Sequence, residues 1–129
     1  MLQVKNIDAA LFEKKFLENR TPLTQEYEIN EAFATVIETN NLKVFVGSFS
    51  GQSAWERHIN GDEFVQVLKG LAKVEIYNEG NKEMYEVKKG SITIFPKGIW
   101  HRFIVPDNVS ILTLTPMPTE HFVGDTPGM

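Results

Sequence analysis

The sequence predicts a single all-β domain whose short strands form a sandwich or a barrel, and three observations support this. The chain has 129 residues, of which 42% are hydrophobic and 23% charged, as is typical of one globular domain. From residue 32 onward, short runs rich in Val, Ile, Phe, Tyr and Thr alternate with Gly, Asn and Pro, which is the pattern of strands joined by turns. No internal repeat or change in composition marks a linker, so we expect residues 1–129 to form one unit.

The N-terminal segment is predicted to contain the only helix. Asp8 can cap a short helix over about 8–18, in which Phe12 and Phe16 share one face. Pro22 follows this segment and would prevent the helix from continuing. We expect this helix to lie outside the strands that follow it.

Nine strands are predicted after the helix. They lie at about 32–39, 42–49, 53–58, 63–69, 71–77, 83–88, 91–95, 101–105 and 109–115. Alternation is clear where Val74 and Ile76 share one face and Lys73 and Glu75 share the other. The Asn-Glu-Gly-Asn-Lys segment at 78–82 supplies a hairpin loop. Eight or nine short strands at this density are typical of a sandwich or a barrel.

Composition also restricts the partners and cofactors of the chain. Thirteen Lys and Arg against 17 Asp and Glu give a net charge of −4, without the basic patch that nucleic-acid binding needs. The N-terminus has no basic flank before an apolar run, and no window approaches the length of a membrane span, so we expect a cytoplasmic protein. The absence of cysteine excludes disulfides and thiolate metal sites, so His, Asp, Glu or water must hold any metal.

Four side chains on three predicted strands could converge on one metal ion. Glu56 and His58 lie two residues apart on one strand and point to the same face. Glu63 begins the next strand and His101 opens a distant one. Two carboxylates with two imidazoles suit a divalent transition metal such as Mn, Fe, Ni, Co or Zn. Two His and one carboxylate also form the ligand set of non-heme iron oxygenases, which leaves positions open for substrate.

Each candidate residue also has a structural interpretation. A histidine on an apolar strand is commonly a hydrogen-bonded core residue, and Glu56 could be a solvated carboxylate. Glu63 follows Gly61 and Asp62, and this turn could use its carboxylates only to accept hydrogen bonds from the backbone. His121 lies outside the convergent set in the C-terminal segment, and we expect it at the surface.

The stretch from Gly51 to Gly70 resembles the first of two paired motifs of the cupin superfamily. That motif has a glycine, a His-x-His pair, a glutamate and, after six further residues, a second glycine. Here Glu63 is followed by six residues and Gly70, and His58 occupies the position of the second histidine. Glu56 stands where the family has its first histidine.

The stretch from Gly90 to Val105 resembles the second cupin motif. That motif has a glycine, five residues, Pro-x-Gly, two residues and a histidine, usually followed four positions later by an asparagine. Pro96, Gly98 and His101 match it, whereas Val105 stands at the asparagine position. The second motif is therefore nearly complete.

The resemblance implies a double-stranded β-helix, a jelly-roll-like barrel with its core at about 33–115 and a C-terminal tail at 116–129. It also implies that His58, Glu63 and His101 are metal ligands, with Glu56 as a fourth ligand or as a general base beside the metal.

Many small cupins are dimers. If Glu63 faces inward, strand parity turns Val65 and Val67 inward as well. Phe64 and Leu68 then face outward and need a cover from the N-terminal strands or from another chain, so we expect a homodimer.

Three functions stay open, because cupins include isomerases, lyases, dioxygenases, decarboxylases, sugar-sensing domains and storage proteins. The first is a small metal-dependent isomerase, lyase or dioxygenase acting on a polar metabolite. The second is a metal-free cupin that binds a sugar or an organic acid without catalysis. The third is a structural cupin with an inert site.

Overall fold

The computed structural model describes residues 2–128, which form two short helices and nine strands. The elements in chain order are α1 (Ile7–Phe12), β1 (Leu17–Arg20), α2 (Glu26–Ala32), β2 (Phe33–Glu38), β3 (Leu42–Gln52), β4 (Trp55–His58), β5 (Glu63–Asn78), β6 (Asn81–Lys88), β7 (Ile92–Phe95), β8 (Trp100–Pro116) and β9 (Thr119–Phe122). The strands form a jelly-roll sandwich whose sheet is not closed, so the predicted all-β class is confirmed. In this part of the chain, no helix is both long and apolar enough to cross a bilayer.

Strand β8 is the centre of the sheet. It pairs antiparallel with β3 from Leu42↔Pro116 to Gln52↔Ile104, and with β5 from Phe64↔Leu114 to Tyr77↔Trp100. The β5 to β8 pairing shifts register on both sides of residues 69–70. Strand β5 thus covers the two predicted strands at 63–69 and 71–77, and β8 covers those at 101–105 and 109–115.

The core lies between the inner faces of β3, β5 and β8. Its buried members are Phe49, Val65, Val67, Ala72, Val74, Val87, Phe95, Phe103, Val105, Val109 and Ile111. The alternation along β5 confirms the predicted parity, because Glu63, Val65 and Val67 are buried while the residues between them are partly exposed. Phe103 and His101 likewise share the buried face of β8. The same face that carries the apolar core therefore carries the histidine and the glutamate.

The N-terminal helix is shorter than predicted. Helix α1 ends at Phe12, and the carboxamide of Asn6, rather than Asp8, caps it by accepting a hydrogen bond from the backbone N–H of Ala9 at 2.8 Å. The prediction that the helix continues to about residue 18 is wrong because Leu17–Arg20 pairs in parallel with β3.

The sequence also failed to predict α2 and β9. Helix α2 has only seven residues, and its N-cap Gln25 makes no side-chain capping hydrogen bond, so the usual start signal is missing. Strand β9 lies in the segment 116–129, which was expected to be a tail. It pairs antiparallel with β4 from Trp55↔Phe122 to His58↔Thr119. Because β9 is defined by pairing with a distant strand, no local sequence pattern predicted it.

Gly70 allows β5 to bend against β8. Its φ is +77°, and a β carbon there would overlap the backbone carbonyl oxygen of Asn108. Gly80 has a similar φ of +84°, but its β carbon would meet no atom within 4 Å. Comparing alanine substitutions at the two positions therefore distinguishes the free-energy cost of a left-handed backbone from that of a steric overlap.

We expect Gly80→Ala to lower the free energy of unfolding by about 1 kcal/mol, because alanine disfavours positive φ. Gly70→Ala should cost about 1–3 kcal/mol more, since the added methyl group forces the two backbones apart. Urea denaturation of both variants measures this difference. Equal losses in the two variants would show that contact with Asn108 does not constrain position 70.

Candidate metal centre

Three strand ends bring His58, Glu63 and His101 together. His58 is the last residue of β4, Glu63 is the first residue of β5, and His101 is the second residue of β8. The loops around them are tied together, since the N–H of Gly98 donates to the carbonyl of His58 at 2.9 Å and the N–H of Lys97 donates to Asp62 at 2.8 Å. The loop before β8 is thereby fixed against the turn between β4 and β5.

The two histidines point their Nε2 atoms at one carboxylate oxygen. The Oε1 atom of Glu63 lies 3.2 Å from Nε2 of His58 and 3.0 Å from Nε2 of His101. The three side chains are buried, with exposed fractions of 2%, 7% and 1% for His58, Glu63 and His101. One ligand atom from each lies within 4.8 Å of the others.

Neighbouring groups fix the orientation of all three side chains. The hydroxyl of Thr115 donates to Oε2 of Glu63 at 2.6 Å, which leaves Oε1 facing the imidazoles. Nδ1 of His58 lies 3.1 Å from the hydroxyl of Thr119. Nδ1 of His101 lies 3.2 Å from the carbonyl oxygen of Ile99.

The His101 ring also stacks on Phe95, with ring centroids 3.9 Å apart and planes 5° apart. His101 is therefore packed into the core as well as aimed at Glu63. The supporting threonine hydroxyls were not predicted from the sequence. The one sequence pattern that points to them is the alternation along β8, which places Thr113 and Thr115 on its buried face. Their hydroxyls are hydrogen-bonded to each other at 2.8 Å.

The chemistry of this cluster fits a cation. A carbonyl oxygen can only accept, so a neutral His101 donates Nδ1–H to Ile99 and turns the lone pair of Nε2 toward Glu63. Within residues 2–128, Nε2 of neither His58 nor His101 has a hydrogen bond of acceptable geometry. Buried lone pairs that face a carboxylate oxygen repel it unless the rings are protonated or a positive ion joins them.

The atomic separations are those of neighbouring ligands on one metal ion. With metal–ligand bonds of about 2.1 Å, ligands at right angles are about 3.0 Å apart and tetrahedral ligands about 3.4 Å apart. The 3.0 Å separation between Oε1 of Glu63 and Nε2 of His101 equals the first value, and the 3.2 Å separation to Nε2 of His58 lies midway between the two. Two His and one carboxylate are the ligands of a facial set that leaves other positions open.

Glu56 faces the same region but lies outside the three-residue cluster. In the sheet it stands opposite His101 of β8 on one side and His121 of β9 on the other. Its side chain is 21% exposed, and its Oε2 atom lies 3.7 Å from Nε2 of His121. His121 is 61% exposed, as expected of a surface residue. The structure therefore brings together three of the four predicted ligands and places Glu56 beside them.

A cavity of about 510 Å³ opens beside Glu63, which is the one residue of the cluster that lines it. Glu56 and Glu63 line it, together with Thr115 of β8 and His121 of β9. The opposite wall comes from the segment 20–33, which includes α2. A small molecule in this cavity would therefore touch the carboxylates of the site.

The family assignment comes from the strands that carry these residues. The sequence model of the cupin domain family matches residues 47–115, more than half of the chain. The chain belongs to the cupin domain family. No curated protein sequence matches this cupin.

Solved structures share the cupin fold at low identity. A cupin-2 domain containing protein from Shewanella frigidimarina is 19% identical, with a TM-score of 0.57 over 67% of this chain and 80% of that protein. A hydroquinone 1,2-dioxygenase solved with Cd²⁺ and 4-hydroxybenzonitrile is 21% identical, with a TM-score of 0.55 over 65% of this chain and 63% of that protein. Oxalate decarboxylase from Bacillus subtilis is 20% identical, with a TM-score of 0.55 over 63% of this chain and 24% of that enzyme. These identities show the fold alone.

The charges of the cupin cluster depend on one another. Burial alone would raise the pKa of the Glu63 carboxyl, but its close contacts with His101 and His58 lower that pKa from 4.5 to about 2. Burial alone would lower the pKa of His58, but contact with Glu63 and the charge of Glu56 raise it. Both shifts favour the charged forms, a carboxylate at Glu63 and an imidazolium at His58. A cation bound at the cluster would compete with a proton on His58.

We expect the metal-free protein to lose stability as the pH falls from 4.5 toward 2. The pKa of Glu63 is lower in the folded state than in the unfolded state, so its stabilising effect is present above pH 4.5 and is lost as acid protonates it. Glu63→Gln should therefore show a weaker dependence of unfolding free energy on pH in this window, measured by urea denaturation after EDTA treatment. The exposed Glu38→Gln serves as the control, and an unchanged pH slope in Glu63→Gln would contradict the proposed coupling.

Proposed function

We propose that this cupin binds one divalent transition metal ion, Mn, Fe, Ni, Co or Zn, through His58, Glu63 and His101, and acts on a small polar metabolite in the adjoining cavity. The observation that carries the proposal is the convergence of two buried Nε2 atoms on Oε1 of Glu63, with no hydrogen bond of acceptable geometry to either nitrogen in residues 2–128. The separations of 3.0 and 3.2 Å support the same conclusion. A dioxygenase solved with Cd²⁺ and an oxalate decarboxylase share this fold, which supports the proposal of an enzyme.

The metal cluster, Thr115 and Glu56 would have different roles in the reaction. A divalent ion held by the cluster would act as a Lewis acid toward an oxygen of the metabolite. Thr115 keeps Oε2 of Glu63 occupied, so that Oε1 stays directed at the two imidazoles. Glu56 lines the cavity with an accessible carboxylate, which suits a general base that takes a proton from the metabolite. This division suits an isomerase-, lyase- or dioxygenase-like reaction.

A metal-free cupin that binds a sugar or an organic acid without catalysis is the second candidate. The pKa shifts of Glu63 and His58 favour it, because a lowered pKa at the carboxyl and a raised pKa at the imidazole are the directions that would balance charge in the cluster without a cation. The cavity would then serve binding alone. Elemental analysis of purified protein separates the two candidates, since the first requires an equimolar first-row metal and the second requires none.

We also propose a homodimer located in the cytoplasm. Ile92 and Ile94 of β7 are 56% and 55% exposed, and β7 pairs only with β5 among the described strands. Apolar side chains on an uncovered sheet edge favour contact with a second copy of the chain. Light scattering after gel filtration measures the oligomeric state.

We expect the wild-type protein to bind one equivalent of Ni²⁺ or Mn²⁺, and His58→Ala to lose at least about tenfold in affinity, because one of its three ligands is removed. His101→Phe should lose affinity similarly while it keeps an aromatic ring against Phe95. Calorimetric titration after EDTA treatment measures both. His121→Ala is the matched control, since its imidazole lies outside the cluster. Equal affinity in all four proteins would contradict the proposed site.

Glu56→His should raise the affinity for Ni²⁺, Co²⁺ or Zn²⁺ by about tenfold or more, because nitrogen replaces oxygen at a position that already faces the site. The pairing of Glu56 with His101 across the sheet supports this direction. Glu56→Gln is the control that removes the charge without adding an imidazole. Identical titrations of the parent and Glu56→His would show that position 56 cannot reach the metal.

A further inference from the structure

A bulge in β1 turns the side chain of Arg20 into the cavity. Leu17 pairs with Phe49 and Arg20 pairs with Gly51, so three residue steps on β1 match two on β3. Asn19 takes up the extra residue with a left-handed φ of 56°. In a regular strand, residues three apart point to opposite faces, whereas a bulge can place them on the same face. Leu17 packs against the core, and Arg20 lines the cavity.

The backbone around Arg20 is built for this arrangement. The N–H of Asn19 donates to the hydroxyl of Ser50 at 2.9 Å, which holds the bulge against β3. Gly51 has a φ of +101°, and a β carbon there would overlap the backbone of Arg20. Position 51 therefore needs glycine for both its conformation and its close contact. The arginine is carried by a constrained segment.

Within residues 2–128, Arg20 differs from the other two arginines in having no carboxylate partner. Arg57 pairs with Glu120 and lies 4.6 Å from the Trp100 ring. Arg102 pairs with Glu75 at 2.6 Å and also stacks on an aromatic ring.

Arg20 lies 4.9 Å from the ring centroid of Phe49 and 5.6 Å from that of Phe33. Across residues 2–128, no Asp or Glu oxygen lies within ion-pair distance of it, and its buried Nε has no hydrogen-bond partner. Arg20 therefore contacts aromatic rings as the other two arginines do, but it lacks the carboxylate with which each of them pairs.

Arg20 is only partly exposed, and its Nε is shielded from solvent without a hydrogen-bond partner in residues 2–128. Burial lowers the pKa of Arg20, and the negative charge of Glu56 opposes that shift. A guanidinium nevertheless stays protonated at neutral pH. The shielded Nε–H has lost its hydration, which a carboxylate could replace with a charge-assisted hydrogen bond. The cavity is open to such a ligand, because Arg20 and Glu63 line the same space.

We propose that Arg20 binds a carboxylate of the metabolite, so that the substrate of this cupin is a small organic acid. This inference deepens the proposed function and rests on it for the presence of a reaction. A neutral sugar would leave the guanidinium and its Nε–H without an anionic acceptor. An organic acid satisfies Arg20 at one end and leaves its other end free to reach the Glu63 cluster. We therefore expect an organic acid to bind more tightly than a neutral sugar of similar size.

The first test uses wild-type protein labelled with ¹⁵N and treated with EDTA. Acetate, malonate, succinate and benzoate are titrated separately, each against its uncharged amide. We expect at least one acid to shift the Nε–H resonance of Arg20, and its amide to leave that resonance unchanged. If no acid shifts the resonance, or if acids and amides shift it equally, the inference is wrong. This measurement needs neither a variant nor a bound metal.

The second test compares variants with the acid that binds. Arg20→Gln should weaken binding by at least about tenfold, because a charge-assisted hydrogen bond is lost. Arg20→Lys keeps the charge without the planar fork, so we expect an intermediate affinity. Arg57→Gln is the matched control, since Arg57 stacks on an aromatic ring outside the cavity lining. Unchanged binding in Arg20→Gln would overturn the inference, and thermal unfolding confirms that each variant is folded.

The two proposals fail in different ways. Absence of metal from the purified protein, with acid binding still dependent on Arg20, would reject the metal site and keep the carboxylate site. Metal bound at the cluster, with acid binding independent of Arg20, would keep the metal site and reject the carboxylate site. Repeating the titration on metal-loaded protein then shows whether the affinity for the acid rises when both groups are present. We expect a rise, because the acid would bind two positive centres.

Discussion

The antiparallel pairing of β8 with β5 and β3 is the constraint on which the site depends. Phe64 pairs with Leu114, which places Thr115 beside Glu63 and its hydroxyl 2.6 Å from the carboxylate. The other end of β8 carries His101, 14 residues before Thr115 in the sequence. The register shifts around Gly70 let the same two strands bend, so that both ends of β8 contribute to one carboxylate. A slip of one residue in this pairing would turn the whole buried set to the opposite face.

The buried polar cluster interrupts an otherwise apolar interior. His101 packs on Phe95 and lies edge-on to Phe103, so the ring that faces Glu63 also belongs to the core. Burial of three titratable groups disfavours their charged forms unless each charge has a partner. Here the partners are one another and the hydroxyl of Thr115. The cluster therefore stabilises the fold only when its charges are balanced, by protons or by a cation.

The sequence predicts those features that follow from alternation along one strand. His58, Glu63 and His101 could be identified because each begins or ends a strand within a spaced motif, and the structure brings all three together. Thr119 could not be identified, because its contact with His58 depends on the pairing of β4 with a strand that the sequence did not predict. The capping of α1 by Asn6 rather than Asp8 was missed because both residue types favour that position. Local patterns therefore predict which face a residue occupies, but not which distant segment covers it.

The segments outside the shared fold complete the cavity. The match to the cupin family spans residues 47–115, and this range contains the three residues of the cluster. Arg20 precedes it and His121 follows it, yet both line the cavity beside Glu63. The common strands thus fix the position of the cluster, whereas the N-terminal bulge and β9 determine which charges surround a ligand. Proteins that share only the common strands do not show which charges the flanking segments of this chain contribute. The chemistry of the ligand must therefore be inferred from the charges and hydrogen bonds of those segments.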